Sequence, residues 1–201
     1  MPRAGLTPDL VTAEAAALVD EVGLEHLTFA ALAARLGVAV PSLYKHVPSI
    51  AALHRRLSVV ATRELGDALS AATAGRAGSD ALRAVAAAYR AYALLRPRLY
   101  PATQRVPLPE EPEHVQVAER VVGSILAILR GYGIAGDDAL DATRAVRSAL
   151  HGFVDIERSG GFGLPRSVDG SFERLVTALD AALRAWPSAP AAAKSAAAGP
   201  G

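Results

Sequence analysis

Large apolar residues recur along this chain three or four positions apart and almost nowhere at every second position, so the pattern predicts helices and no sheet. Val11, Ala15, Leu18 and Val22 mark one helical face, opened near Thr7 or Asp9 with Pro8 in the first turn and closed by Gly23 as a left-handed cap. A second helix is predicted over 29–36, capped by Thr28, turned inward at Leu32, Ala33 and Leu36, and ended by Gly37. The third opens on Pro41 and runs two turns or fewer, with Leu43 and Val47 inward and Val40, Ser42, Tyr44, Lys45 and His46 outward. Ser49 caps a long fourth helix to about Leu69.

Beyond an Ala, Gly and Ser-rich turn, helices are expected over about 80–95, 113–132, 137–158 and 168–185, with an irregular segment holding one helical turn at 96–112. The fold class is therefore all-α, about nine helices in total: a three-helix domain over 1–57, a larger helical domain over 58–187, and the helix over 49–69 connecting them. The stretch 188–201 is rich in Ala, Pro and Gly and lacks the apolar bulk to offset its ordering entropy, which predicts a disordered tail.

Composition narrows the classes of function. A chain of 201 residues is long enough for a sizeable core, and its lack of cysteine excludes disulfides, thiolate metal sites and a cysteine nucleophile. It has no apolar run of transmembrane length and no signal-peptide pattern, so a cytoplasmic protein with no membrane partner is expected. The net charge of +1 favours no partner, and residues 1–65 carry six basic and six acidic side chains. Nucleic-acid binding would have to come from placement, with the acids of the first helix turned away.

The placement is there. A helix, a tight turn at Gly37 and a short helix with a polar outer face have the spacing of a helix-turn-helix, whose second helix enters the major groove of DNA. Leu36-Gly37-Val38, Pro41, Leu43-Tyr44 and His46-Val47, within residues 7–57, resemble the DNA-binding domain of the TetR family of transcriptional regulators. The segment Val40-Pro41-Ser42-Leu43-Tyr44 is most similar to the tetracycline repressor's own subgroup. The resemblance implies that Val40, Pro41 and Ser42 lie nearest base edges, while Tyr44, Lys45, His46 and Thr28 contact phosphates. Two positions depart from the family: Ala39 replaces the usual Ser or Thr cap of the recognition helix, and Ile50 replaces a lysine that touches phosphate. Arg55, Arg56 or Arg3 is expected to compensate.

The second half, at Ala149-Leu150-His151-Gly152-Phe153 and the Gly160-Gly161-Phe162-Gly163 turn, resembles a WHG-type C-terminal domain without the tryptophan of that name. Such a domain implies a small-molecule effector and a homodimer. Tyr89, Tyr92, Tyr100, Gln104, Val121, Ser124, Ile125, Ile128 and His151 offer a few polar groups among aliphatic ones, a mix suited to a mostly apolar effector or to ordinary packing. His151 reads three ways: a core histidine bonded to a neighbouring element, an effector contact, or a metal ligand with Asp155 that lacks further ligands.

A palindromic operator needs two recognition helices roughly 34 Å apart, hence a two-fold dimer. Leu150, Phe153, Val154, Phe172, Leu175, Val176, Leu179 and Leu183 of the last two helices are the expected interface. The leading expectation is a ligand-responsive repressor of double-stranded DNA, with no cofactor, metal or catalytic residue. Its alternatives are a constitutive DNA-binding protein of the same fold and a helical enzyme using His151 with Asp155 or Glu157.

Overall fold

The computed structural model describes residues 5–187. The chain forms α1 (Pro8–Val22), α2 (Phe29–Leu36), α3 (Val40–Tyr44), α4 (Ile50–Thr73), α5 (Gly78–Leu95), α6 (Pro112–Arg130), α7 (Gly136–Arg158) and α8 (Val168–Arg184). Short 3-10 turns lie at Leu24–His26 and Tyr100–Gln104. The described residues thus hold eight α-helices and no strand, because the turn expected within 96–112 is a 3-10 turn. Arg3 and the tail 188–201 lie outside the described residues.

The expected caps form. Thr7, Thr28 and Ser49 accept hydrogen bonds from the amides of Leu10, Ala31 and Ala52, satisfying N–H groups that a helix start leaves without a partner. Gly37 adopts the left-handed conformation, φ 66° and ψ 37°, and the Val38 amide reaches back to the Ala33 carbonyl. Gly23 corrects the expectation of a left-handed cap: its φ is 95° but its ψ is 155°. The chain leaves α1 extended there and enters the 3-10 turn that leads to Thr28.

Two cores form, and neither is a continuous stretch of sequence. The first gathers Val11, Leu18, Leu32, Leu43, Val47, Leu53 and Leu57 from α1 to α4, together with Leu99 and Ala102. The second gathers Leu65, Leu69, Leu82, Val85, Tyr100, Leu129, Val146, Leu150, Val154 and Phe172. Helix α4 serves both, passing from one to the other between Ala61 and Leu65. Helix α6 crosses α4 closely at Gly66, where a Cβ would lie 3.3 Å from Val121 Cγ2. On the far side, Asp180 of α8 accepts hydrogen bonds from Ser79 at the start of α5, from Tyr132 after α6 and from Arg184, tying three elements together.

Candidate nucleic-acid interface

Helix α3 has only five residues, too few to be stable alone, so its position is set by what it buries. Leu43 and Val47 have no exposed surface, and the Phe29 ring meets Tyr44 edge-on at 5.0 Å. What remains outside is the tip: Pro41, Tyr44 and Lys45 are exposed, and Val40, Ser42 and His46 are half-buried. Lys45 makes no ion pair with any described residue, leaving its ammonium unengaged. Ala39 stands at the N-cap in extended geometry with no side-chain hydrogen bond, as the residue type requires.

The starts of α2 and α4 open onto one cleft of about 490 Å³, lined by Thr28, Phe29, Tyr44, Pro48, Ser49 and Ile50. Helix starts carry partial positive charge and attract anions, so this cleft is suited to a phosphate. Because Thr28 Oγ1 accepts from the Ala31 amide, its own proton remains free to donate outward. Ile50, 37 % exposed, contributes only apolar surface where a cation would add attraction.

The acids of the first domain are engaged. Arg35 bridges Glu14 and Glu21 at 2.8 and 2.7 Å, Arg56 pairs with Asp9, and Arg96 pairs with Asp20. Arg55 and Arg56 correct the expectation that they replace the cation missing at Ile50. Both line a different cavity, between α1, α4 and the start of α6, where Glu111 and Asp9 face them. His46 also borders that cavity, which sets it apart from Tyr44 and Lys45.

In the second core, the buried Tyr100 hydroxyl lies 2.7 Å from Tyr89 Oη and 2.7 Å from His151 Nδ1. With one proton to give, it donates to one and accepts from the other. Burial and then the Tyr89 hydroxyl push the Tyr100 phenol well above its ordinary range. His151 is therefore a hydrogen-bonded histidine, and Asp155 is taken by Arg158 at 2.9 Å. Gln104 lies beside this group, accepting from Arg147 and donating to Thr103.

The other expected effector residues are divided. The Tyr92 hydroxyl donates to Glu64, which Arg96 also holds, and burial followed by the Glu64 charge raises its pKa. Ser124 bonds the Arg120 carbonyl and faces Ser70 across α4 and α6. Ile125 and Ile128 are buried core, and Val121 packs on Gly66.

The expected dimer set is corrected in part. Leu150, Val154, Phe172, Val176 and Leu183 are 6 % exposed or less and belong to the protomer's own core. Helix α5 packs against both α7 and α8 and takes those faces. Phe153, Leu175 and Leu179 remain half-buried, while Leu140 and Ile156 of α7 are exposed. The Arg96 clasp and Leu99 were invisible to periodicity, since both lie where the helical pattern stops.

A capped helix, a left-handed glycine turn and a short polar-tipped helix, joined by one continuous helix to a second core, define a helix-turn-helix protein with an attached helical domain. The comparisons name the same class. Residues 11–57 match the family described as "Bacterial regulatory proteins, tetR family", and residues 82–179 match "Tetracyclin repressor-like, C-terminal domain". The HTH-type transcriptional regulator Rv0681 of Mycobacterium tuberculosis is 37 % identical over 158 residues, covering 78 % of this chain and 72 % of its own. YobS of Bacillus subtilis, also an HTH-type transcriptional regulator, is 32 % identical over 154 residues, covering 76 % and 80 %. Mycobacterium smegmatis BioQ has the same fold, with a TM-score of 0.68 at 23 % identity over 90 % of this chain and 99 % of that one. BioQ has also been solved with its double-stranded DNA operator, a structure that superposes with a TM-score of 0.64 at 24 % identity over 88 % and 99 %.

The chain belongs to the TetR family and is a DNA-binding transcriptional regulator, not an enzyme. Among the described residues no helix is long and apolar enough to cross a membrane.

Proposed function

We propose that the chain is a dimeric repressor that leaves a palindromic operator when a small, mostly apolar effector binds its C-terminal domain. The observation that carries the DNA part is the protruding tip of α3 on a fully buried mount. Val40, Pro41 and Ser42 read base edges, and Tyr44 and Lys45 hold phosphates flanking the groove, with Thr28 and the starts of α2 and α4 seating another. His46, half-buried at the inner edge, is the weakest phosphate candidate of the set.

The effector reading draws on Tyr89, Tyr100, Gln104 and His151, the part of the expected set that lies together. Ligand contact with Tyr100 would strain the neighbouring Leu99, which packs in the DNA-binding core, so occupancy shifts the balance between two domain arrangements. The two-fold interface is drawn from what α7 and α8 leave at the surface: Phe153, Ile156, Leu175, Leu179 and the small residues Ala145, Ala178 and Ala182.

Fluorescence anisotropy of the protein with DNA from upstream of its own gene, against random duplex over a range of salt, tests this reading. Equal, salt-insensitive affinity for both would refute it. A second reading, constitutive binding without an effector, draws on the closed hydrogen bonding of Tyr89, Tyr100 and His151. Affinity for DNA unchanged across a hydrophobic-ligand panel would favour it.

A further inference from the structure

A cavity of about 920 Å³ opens between α1, α4 and the start of α6, and none of Tyr89, Tyr100 or His151 lines it. Its floor is made of small or branched apolar side chains, Ala13 and Ala17 of α1 and Ala52, Val59 and Val60 of α4. The α1 wall runs from Asp9 to Asp20, a span of about 16 Å at a rise of roughly 1.5 Å per residue. The cavity is therefore an elongated apolar trough.

Its charged rim is mostly closed on itself. Arg63 bonds Glu113 at 2.6 Å, Arg96 bonds Asp20 and Glu64, and Arg56 bonds Asp9 and Thr12. Arg55 is the exception. Its nearest carboxylate oxygen, Glu111 Oε1, lies 3.6 Å from Nε, beyond hydrogen-bond reach, and that oxygen already accepts from Arg105 at 3.1 Å. The other Glu111 oxygen accepts from the Leu108 amide and faces His114 Nδ1. One carboxylate thus serves two guanidinium groups, and the Arg55 guanidinium at this end of the cavity is left without a hydrogen bond to any described residue.

His114 supplies a second, independent observation. It lines the cavity wall, is 1 % exposed, and its Nε2 has no hydrogen-bond partner. A buried polar atom without a partner is costly unless something else satisfies it.

We propose that this cavity binds a small amphiphilic carboxylic acid, with its carboxylate on Arg55 and its apolar body along the alanine and valine floor. The site goes beyond the effector reading above and does not depend on it. Because His46 and Pro48 of the recognition segment and the start of α6 share its walls, an occupant touches the DNA-binding face and the second domain at once.

Isothermal titration calorimetry of the full chain with decanoate, decanol and decyltrimethylammonium tests the assignment without DNA, so its outcome is independent of the operator reading. Decanoate is expected to bind about tenfold or more tighter than decanol, the contribution of one charge-assisted hydrogen bond, and the ammonium compound not to bind. Arg55→Gln should bring decanoate to the affinity of decanol, Ala17→Phe should weaken both about tenfold or more, and His151→Phe should change neither. Equal binding of acid and alcohol overturns the proposal, as does decanoate affinity unmoved by Ala17→Phe. Loss of binding in His151→Phe would assign the acid to the second core instead.

Discussion

Leu99 and Tyr100 are adjacent in the chain, and both are wholly buried, yet they lie in different cores. Leu99 packs with Leu53 and Leu57 of the DNA-binding domain, while Tyr100 packs with Tyr89 and Leu150 of the second domain. One peptide unit therefore links the two interiors.

Leu99→Ala is expected to destabilise the DNA-binding domain by about 2–5 kcal/mol, the range for emptying a buried leucine site. Tyr100→Phe keeps the ring and removes the hydroxyl shared by Tyr89 and His151, at an expected cost of about 1–3 kcal/mol. Urea unfolding followed by circular dichroism measures both.

At the DNA face, Lys45→Ala is expected to weaken binding equally across sequences and to lower the log–log salt slope by about 1, the signature of one lost phosphate contact. Changing Val40 or Ser42 should instead alter preference at particular base pairs by about 1–3 kcal/mol each. Anisotropy titrations on operator variants at several salt concentrations separate the two behaviours.

The bare cap of α3 offers a gain. Ala39 already has the extended backbone of an N-cap, φ −77° and ψ 143°, so a serine there needs no rearrangement to bond the helix amides. Ala39→Ser should stabilise the protein by about 1 kcal/mol and raise its midpoint of thermal unfolding.

Acid stability should report on Asp180. Hydrogen bonds from Ser79, then Tyr132 and Arg184, hold its carboxyl at about 2, below the ordinary 3.8. A folded-state pKa below the unfolded one means that the stabilisation is full above about pH 4 and is lost as the pH falls towards about 2. The stability difference between wild type and Asp180→Asn is therefore expected to shrink across that window, as read from unfolding midpoints at each pH.

The sequence by itself determined the helices, the caps at Thr7, Thr28, Ser49 and Gly37, and the helix-turn-helix, because each depends on local order: helical spacing, a hydroxyl at a helix start, and a glycine where the chain turns left-handed at 37. It also showed the bare cap at Ala39 and the uncharged Ile50, since a missing side chain is visible without a fold. Only the tertiary structure decided which apolar face meets which. Periodicity marks Leu150, Phe172 and Val176 as buried but cannot say by what, and α5 covers them within the protomer. It alone brought Arg55 to Glu111 and His114, Arg96 to Asp20 and Glu64, and Tyr100 to His151 across 51 residues, because contacts between distant segments depend on how helices cross and leave no periodic trace in the chain.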